Sequence, residues 1–184
     1  MNSWALPRTA NIGGTVYPIN TDFRDVLEIT GYLTDDSRPE FLRWQIALAL
    51  FYDGDIPASY QTEAMEYLAG FISYGEQDSK PGPKLLDWEQ DAQIIVSDIN
   101  KVAGREIRAL PYLHWWTFLS YFYGIGEGQL STVVSIRDKL RRGKKLEKWE
   151  QEYYRENKSR VDMKKRYTPE ELAEQERLKK LLGE

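Results

Sequence analysis

Cysteine is absent from the 184 residues and histidine occurs once. The first absence excludes disulfide scaffolds, thiol nucleophiles and zinc–cysteine sites. The second leaves His114 as the sole imidazole, too few for a multi-histidine metal centre. No apolar run approaches the roughly 18 residues of a membrane-spanning helix. Met1–Thr9 lacks the basic stretch and apolar run of a secretory signal, so a soluble, cytosolic chain is expected. Basic residues are scarce over 1–136, with 9 Lys and Arg against 18 Asp and Glu; over 137–184 the count is 16 against 11. The net charge of −4 thus combines an acidic body of −9 with a basic segment of +5. Such asymmetry points to a charged partner or to contact between the two parts.

What is present is a core. Apolar residues make up 41% of the chain, with twelve Tyr, six Trp and six Phe, far too many for a disordered protein. Gly13-Gly14, flanked by Ala10–Ile12 and Thr15–Ile19, predicts a two-residue β-hairpin turn, with Pro18 placing its strand at an edge. Helices follow. One begins after Asn20, Thr21 or Asp22, shows Phe23, Val26, Leu27 and Thr30 on one face, and stops near Leu33, with Gly31 as the stop signal. A second opens at Ser37 and Pro39 and carries Phe41, Trp44, Leu48 and Phe51. Pro57 starts a third, with Ala64, Tyr67, Leu68, Phe71 and Ile72 on one side; residues 75–83 form a turn-rich loop. A fourth begins near Asp87. A fifth begins at Pro111 and is aromatic almost all round, which predicts a central buried helix. A sixth holds Leu130, Val133, Val134, Ile136 and Leu140.

From Arg137 apolar residues thin out among Lys, Arg and Glu. Residues 1–136 therefore read as a helical body with an N-terminal hairpin, and 137–184 as a basic, charged helical arm. The fold class is mainly α, with a short β-hairpin and an extended charged C-terminal arm. That arm needs a partner or charge pairs to be ordered, and Leu146, Trp149, Tyr153 and Tyr154 are its candidate protein-binding residues. Thr168-Pro169-Glu170-Glu171 is a helix start, followed by Leu172, Leu178, Leu181 and Leu182.

Little of this pattern carries chemistry. His114 lies among Tyr112, Leu113, Trp115 and Trp116, where a packed, hydrogen-bonded imidazole is a better reading than a general base. Gly124, Gly126 and Gly128 follow a helix rather than a strand, and Glu127 stands where phosphate would sit, so they read as a helix-breaking loop. Asp87, Asp91 and Asp98 share a helical face but lack the companions of a metal site, and Asp87 reads as a cap. The stretch 137–166 carries 13 Lys and Arg against 6 Asp and Glu, densest at Arg141–Lys145. Trp149, Tyr153 and Tyr154 beside it would suit nucleic acid, but interleaved glutamates and an acidic body disfavour it. The expectation is a non-enzymatic chain with no catalytic residue, cofactor or metal.

Leu113-His114-Trp115-Trp116-Thr117-Phe118, preceded by Leu110-Pro111-Tyr112, resembles the hallmark of a siphophage family named after gene product fifteen, from phages of Gram-positive hosts. Tyr17–Arg24, Leu86–Asp91 and Ile136–Leu140 with the Lys- and Glu-rich stretch after it resemble further parts of that family in the same order. Residues 102–109 depart from its usual pattern but keep Gly104, and residues 168–184 match nothing in it. The motif residues Leu113, His114, Trp115, Trp116 and Phe118 are expected in the core. The resemblance implies phage tail morphogenesis: a tail assembly chaperone that binds the tape-measure protein, self-associates and works in the cytoplasm of the bacterial host. The alternatives are a structural tail component retained in the virion and a nucleic-acid-binding module using the basic arm.

Overall fold

The hairpin forms at the Gly-Gly pair. In a computed structural model describing residues 5–74, 83–164 and 177, β1 (Thr9–Ile12) pairs antiparallel with β2 (Thr15–Pro18), Ile12 opposite Thr15. Gly13 and Gly14 take φ of +58° and +82°, the left-handed values that such a turn requires. Ala10 and Ile12 are buried while Thr9 and Asn11 face out. The ring of Tyr60 lies so close to Gly13 that a Cβ there would come within 2.6 Å of it, so a side chain would have to displace that exposed ring in addition to the strain of its φ.

Asp22 caps α1 (Phe23–Leu33), its carboxylate accepting the Arg24 N–H at 3.0 Å. Phe23, Val26 and Ile29 enter the core. Leu27 and Thr30, expected on that face, are half-buried at its edge. α2 (Glu40–Phe51) packs against α1 through Ala47, Leu48 and Phe51. Phe41, predicted on the same stripe, is 73% exposed. Periodicity identifies a helical face but not how far along it the neighbouring elements reach. Pro57 opens a 3-10 turn (Ala58–Tyr60) rather than the helix itself, and α3 (Gln61–Ile72) follows with Ala64, Leu68 and Phe71 buried.

Two helices begin later than the sequence suggests, each for a tertiary reason. Residues 87–91 form a turn, where the Asp87 carboxylate accepts the N–H groups of Glu89 and Gln90, and α4 runs from Ala92 to Ala103. Past Pro111 the backbone stays extended because it pairs with residues 21–23. Phe23 donates to the Leu113 carbonyl at 2.9 Å and Trp115 to the Thr21 carbonyl at 2.7 Å. α5 is therefore Trp115–Tyr123. It buries Trp115, Phe118 and Leu119, but Ser120 and Tyr123 face out, so it is central on one side only. Phe118 stacks on Phe23 and on Trp115, with centroids 4.8 and 5.4 Å apart.

α6 (Gln129–Arg141) begins where the buried carboxylate of Asp98 accepts the Leu130 N–H at 2.9 Å. Gly143, at φ +64°, turns the chain. The described part of the arm is two short helices, α7 (Lys148–Glu156) and α8 (Lys158–Val161), which fold back onto α6. All of the predicted loop 75–83 except Pro83, and the predicted helix after Thr168, fall outside the described residues; Arg177 alone of 165–184 is described, helical and exposed. No helix among the described residues is long and apolar enough to cross a membrane.

Candidate functional site

The Leu-His-Trp-Trp stretch joins three elements. His114 is the N-cap of α5: its Nδ1 accepts the Trp116 N–H at 3.0 Å, and its Nε2 lies 2.9 Å from the Pro7 carbonyl. An acceptor at Nδ1 and a carbonyl at Nε2 fix the neutral tautomer with the proton on Nε2. Burial holds the imidazole below its ordinary pKa, and the Arg8 charge adds to this, while the Pro7 bond opposes both. The indole N–H of Trp115 donates to the Ile72 carbonyl and that of Trp116 to the Phe71 carbonyl, both at 3.0 Å. These are carbonyls of the last turn of α3, beyond the regular helical ladder; that of Phe71 also accepts the Tyr74 N–H at 3.3 Å. Leu113, His114, Trp115 and Phe118 are buried and Trp116 is half-buried. Both ring nitrogens of His114 are engaged in holding backbone, which leaves the imidazole no free nitrogen for proton transfer.

The three aspartates are likewise spent on structure. Asp87 caps its turn, Asp98 caps α6 and pairs with Lys101 at 2.7 Å, and Asp91 meets Arg137. Among the described residues no three carboxylate or imidazole groups gather as metal ligands. Gly128, in the glycine loop, lies against the Asp98 carboxylate, where a Cβ would come within 2.6 Å.

The arm residues divide. Leu146 is buried, Tyr153 and Tyr154 are half-buried, and Trp149 alone of the four is exposed, at 53%. The Tyr154 hydroxyl donates to Asp162 at 2.7 Å, while the Tyr153 hydroxyl is buried with no hydrogen-bond partner among the described residues. Glu150 is buried and pairs with Lys139 at 2.6 Å. This bond holds its carboxyl below the usual range and raises the Lys139 ammonium. Arg141, Arg142, Lys144, Lys145 and Lys148 are exposed around the Gly143 turn beside Trp149.

A second surface has no counterpart among the sequence predictions. A groove of about 1180 Å³ opens between the second half of α1 and residues 84–89. Half-buried Leu27, Leu33, Leu86 and Trp88 line it. Glu28, Asp35, Asp36 and Glu89 make its rim more acidic than Arg43 and Lys84 make it basic. Gly31 borders it without a side chain, and a Cβ there would meet nothing within 4 Å. The only sequence signal was that glycine inside a helix, where alanine would be preferred by about 1 kcal/mol. Apolar walls with a charged rim suit an amphipathic helix.

The family model described as Bacteriophage Gp15 protein matches residues 3–163, from before the hairpin to just past α8. No curated protein and no solved structure matches the chain. With nearly all of its described structure inside that match, and the Leu-His-Trp-Trp stretch holding α3, α5 and the N-terminal segment together, the chain belongs to the bacteriophage Gp15 protein family.

Proposed function

We propose that this chain is a tail morphogenesis protein, a tail assembly chaperone that holds the tape-measure protein while tail tube subunits assemble around it. The match over residues 3–163 carries the phage setting, and the groove beside α1 supports the finer reading. A chaperone of this kind needs a surface that shields apolar helices from water, and the groove has apolar walls and a charged rim. The role needs no catalysis, and it suits a self-associating chain in the host cytoplasm.

Co-expression with the neighbouring tape-measure protein, followed by capture through a tag on this chain, tests the reading. Co-purification is expected, and Gly31→Trp, which fills the groove from an open helix position, is expected to abolish it without lowering the melting temperature. Absence of capture by the unaltered chain overturns the proposal. Purified virions are expected to lack the protein; its presence there would favour a structural tail component. One observation favours a nucleic-acid reading: Lys144, Lys145 and Lys148 stand exposed beside Trp149 and make no ion pair among the described residues. Binding that fell steeply with salt, and was lost in Lys144→Glu/Lys145→Glu, would support it.

A further inference from the structure

We infer that the groove beside α1 is an interface between copies of this chain, occupied by the basic turn around Gly143 of a second copy with Trp149 as its anchor. That turn is a preformed surface. Lys144 donates to the Lys139 carbonyl at 2.8 Å and Gly143 to the Leu140 carbonyl at 3.0 Å, the paired bonds that close a helix on a left-handed glycine. Lys139 also pairs with the buried Glu150, which fixes the start of α7 against the end of α6. Trp149 is exposed at that start. Its indole N–H donates to the Glu147 carboxylate at 2.9 Å, so its one polar group is satisfied before any partner arrives. An exposed tryptophan beside basic side chains has the composition of an interface hot spot, and a fixed ring lowers the ordering cost of docking.

Charge identifies the partner. Residues 141–149 carry five cations and one carboxylate, net +4. Arg141 and Arg142 pair with Asp138, whereas Lys144, Lys145 and Lys148 make no ion pair among the described residues. The groove is the opposite: five carboxylates and two cations line it, net −3, and Glu28 makes no ion pair among the described residues. Its walls, Leu27, Leu33, Leu86 and Trp88, offer an indole apolar contact away from water. Every copy thus carries both halves of one contact, which allows a closed pair or ring, or an open row of copies. Nucleic acid would answer the lysines but not the groove. A copy seated there covers the walls that the reading above assigns to the tape measure, so a tape-measure helix must displace it. As regulation of helix capture the inference rests on that reading; as a contact it is measured on this chain alone. Self-association without capture of the tape measure overturns that reading only, and capture without self-association overturns this inference only.

Sedimentation of the full chain over a concentration series, with and without nuclease, tests the contact. Self-association is expected in both, and salt at about 1 M, where screening acts within about 3 Å, is expected to weaken it. Trp149→Ala is expected to weaken it about thirtyfold, as truncation of such an anchor does, without lowering the melting temperature. Gly31→Trp, which fills the groove, is expected to leave a monomer. Two charge reversals give the sharper test. Lys144→Glu/Lys145→Glu/Lys148→Glu makes the turn acidic like the groove, and Glu28→Lys/Glu89→Lys makes the groove basic like the turn. Each variant alone is expected to be monomeric, and the two mixed are expected to associate, because the turn of each then matches the groove of the other. A monomer at every concentration overturns the inference. Self-association that survives Trp149→Ala or both reversals overturns it by placing the contact elsewhere, and reversed variants that stay apart on mixing overturn it as well. Loss of the complex on nuclease treatment also overturns it and assigns the basic turn to nucleic acid.

Discussion

Arg137 of α6 and Asp91, just before α4, face each other in a two-pronged bond at 2.6 and 2.9 Å, their side chains 4% and 0% exposed. The remaining guanidinium N–H groups donate to the carbonyls of Leu85, Arg160 and Val161 at 2.7–2.9 Å. All five donors are thereby used, and one side chain ties the 85–91 segment to the end of α8. Arg137→Met should cost about 3–5 kcal/mol, because it leaves the Asp91 carboxylate buried and unpaired. Arg137→Lys should recover only part, since an ammonium cannot fork. Urea unfolding measures both, and a loss below about 1 kcal/mol in Arg137→Met would sink the assignment.

The same contacts cross the boundary drawn in the sequence between body and arm. Truncation after Leu140 removes two of the carbonyls that hold Arg137, together with buried Leu146 and Val161, each worth about 1.5–3 kcal/mol. The truncated chain is expected to melt well below the full one, or to lose its cooperative transition. An unchanged midpoint would restore the picture of a detachable arm.

The Trp pair offers a subtler test. Trp115→Phe and Trp116→Phe keep most of the ring volume but leave the Ile72 or Phe71 carbonyl without its indole donor. A loss of about 1–3 kcal/mol is expected for each, and about 3–5 kcal/mol for Trp115→Ala, which also opens a cavity. Equal stability of the Phe variants and the unaltered chain would mean that water serves those carbonyls instead.

His114 gives a pH signature. Its folded pKa lies below the unfolded value of 6.5, so the folded state resists protonation more than the unfolded state does. The stability this represents is complete above about 6.5 and is lost as pH falls through the depressed folded value. Protonation also turns Nδ1 into a donor facing the Trp116 N–H. In His114→Asn, which retains an N-cap acceptor, the decline below about pH 6.5 should flatten. Melting temperatures across that range read it, and an unchanged slope would place the sensitive group elsewhere.

Legibility in the sequence followed the range of the interaction. Gly13-Gly14 named the hairpin, and the periods of α1, α3 and α6 named most of their buried residues, because turn chemistry and helical spacing are local. The starts of α4 and α5 were misplaced because a turn held by Asp87 and a pairing with residues 21–23 outweigh local helix signals. Arg137 and Glu150 counted only as arm charge, although both are buried with partners 46 and 11 residues away. Gly31 read as a stop, yet it lies inside α1 and shapes the groove wall.

Pairing of the segment around Asp22 with that around Leu113 and His114 also imposes a timetable on synthesis. The Leu113 N–H reaches the Asp22 carboxylate across 91 residues of chain. At about 5–20 residues per second, the ribosome takes roughly 5–18 s to add them. Throughout that interval Phe23 lacks Phe118, and the end of α3 lacks its two indoles. The nascent first half thus emerges with an apolar face uncovered, and Arg137 cannot be fully satisfied until Val161 has left the tunnel. Folding is completed from the end of the chain rather than its beginning, so a ribosome stalled within α6 would hold a product that exposes its core to the host's protein-quality machinery.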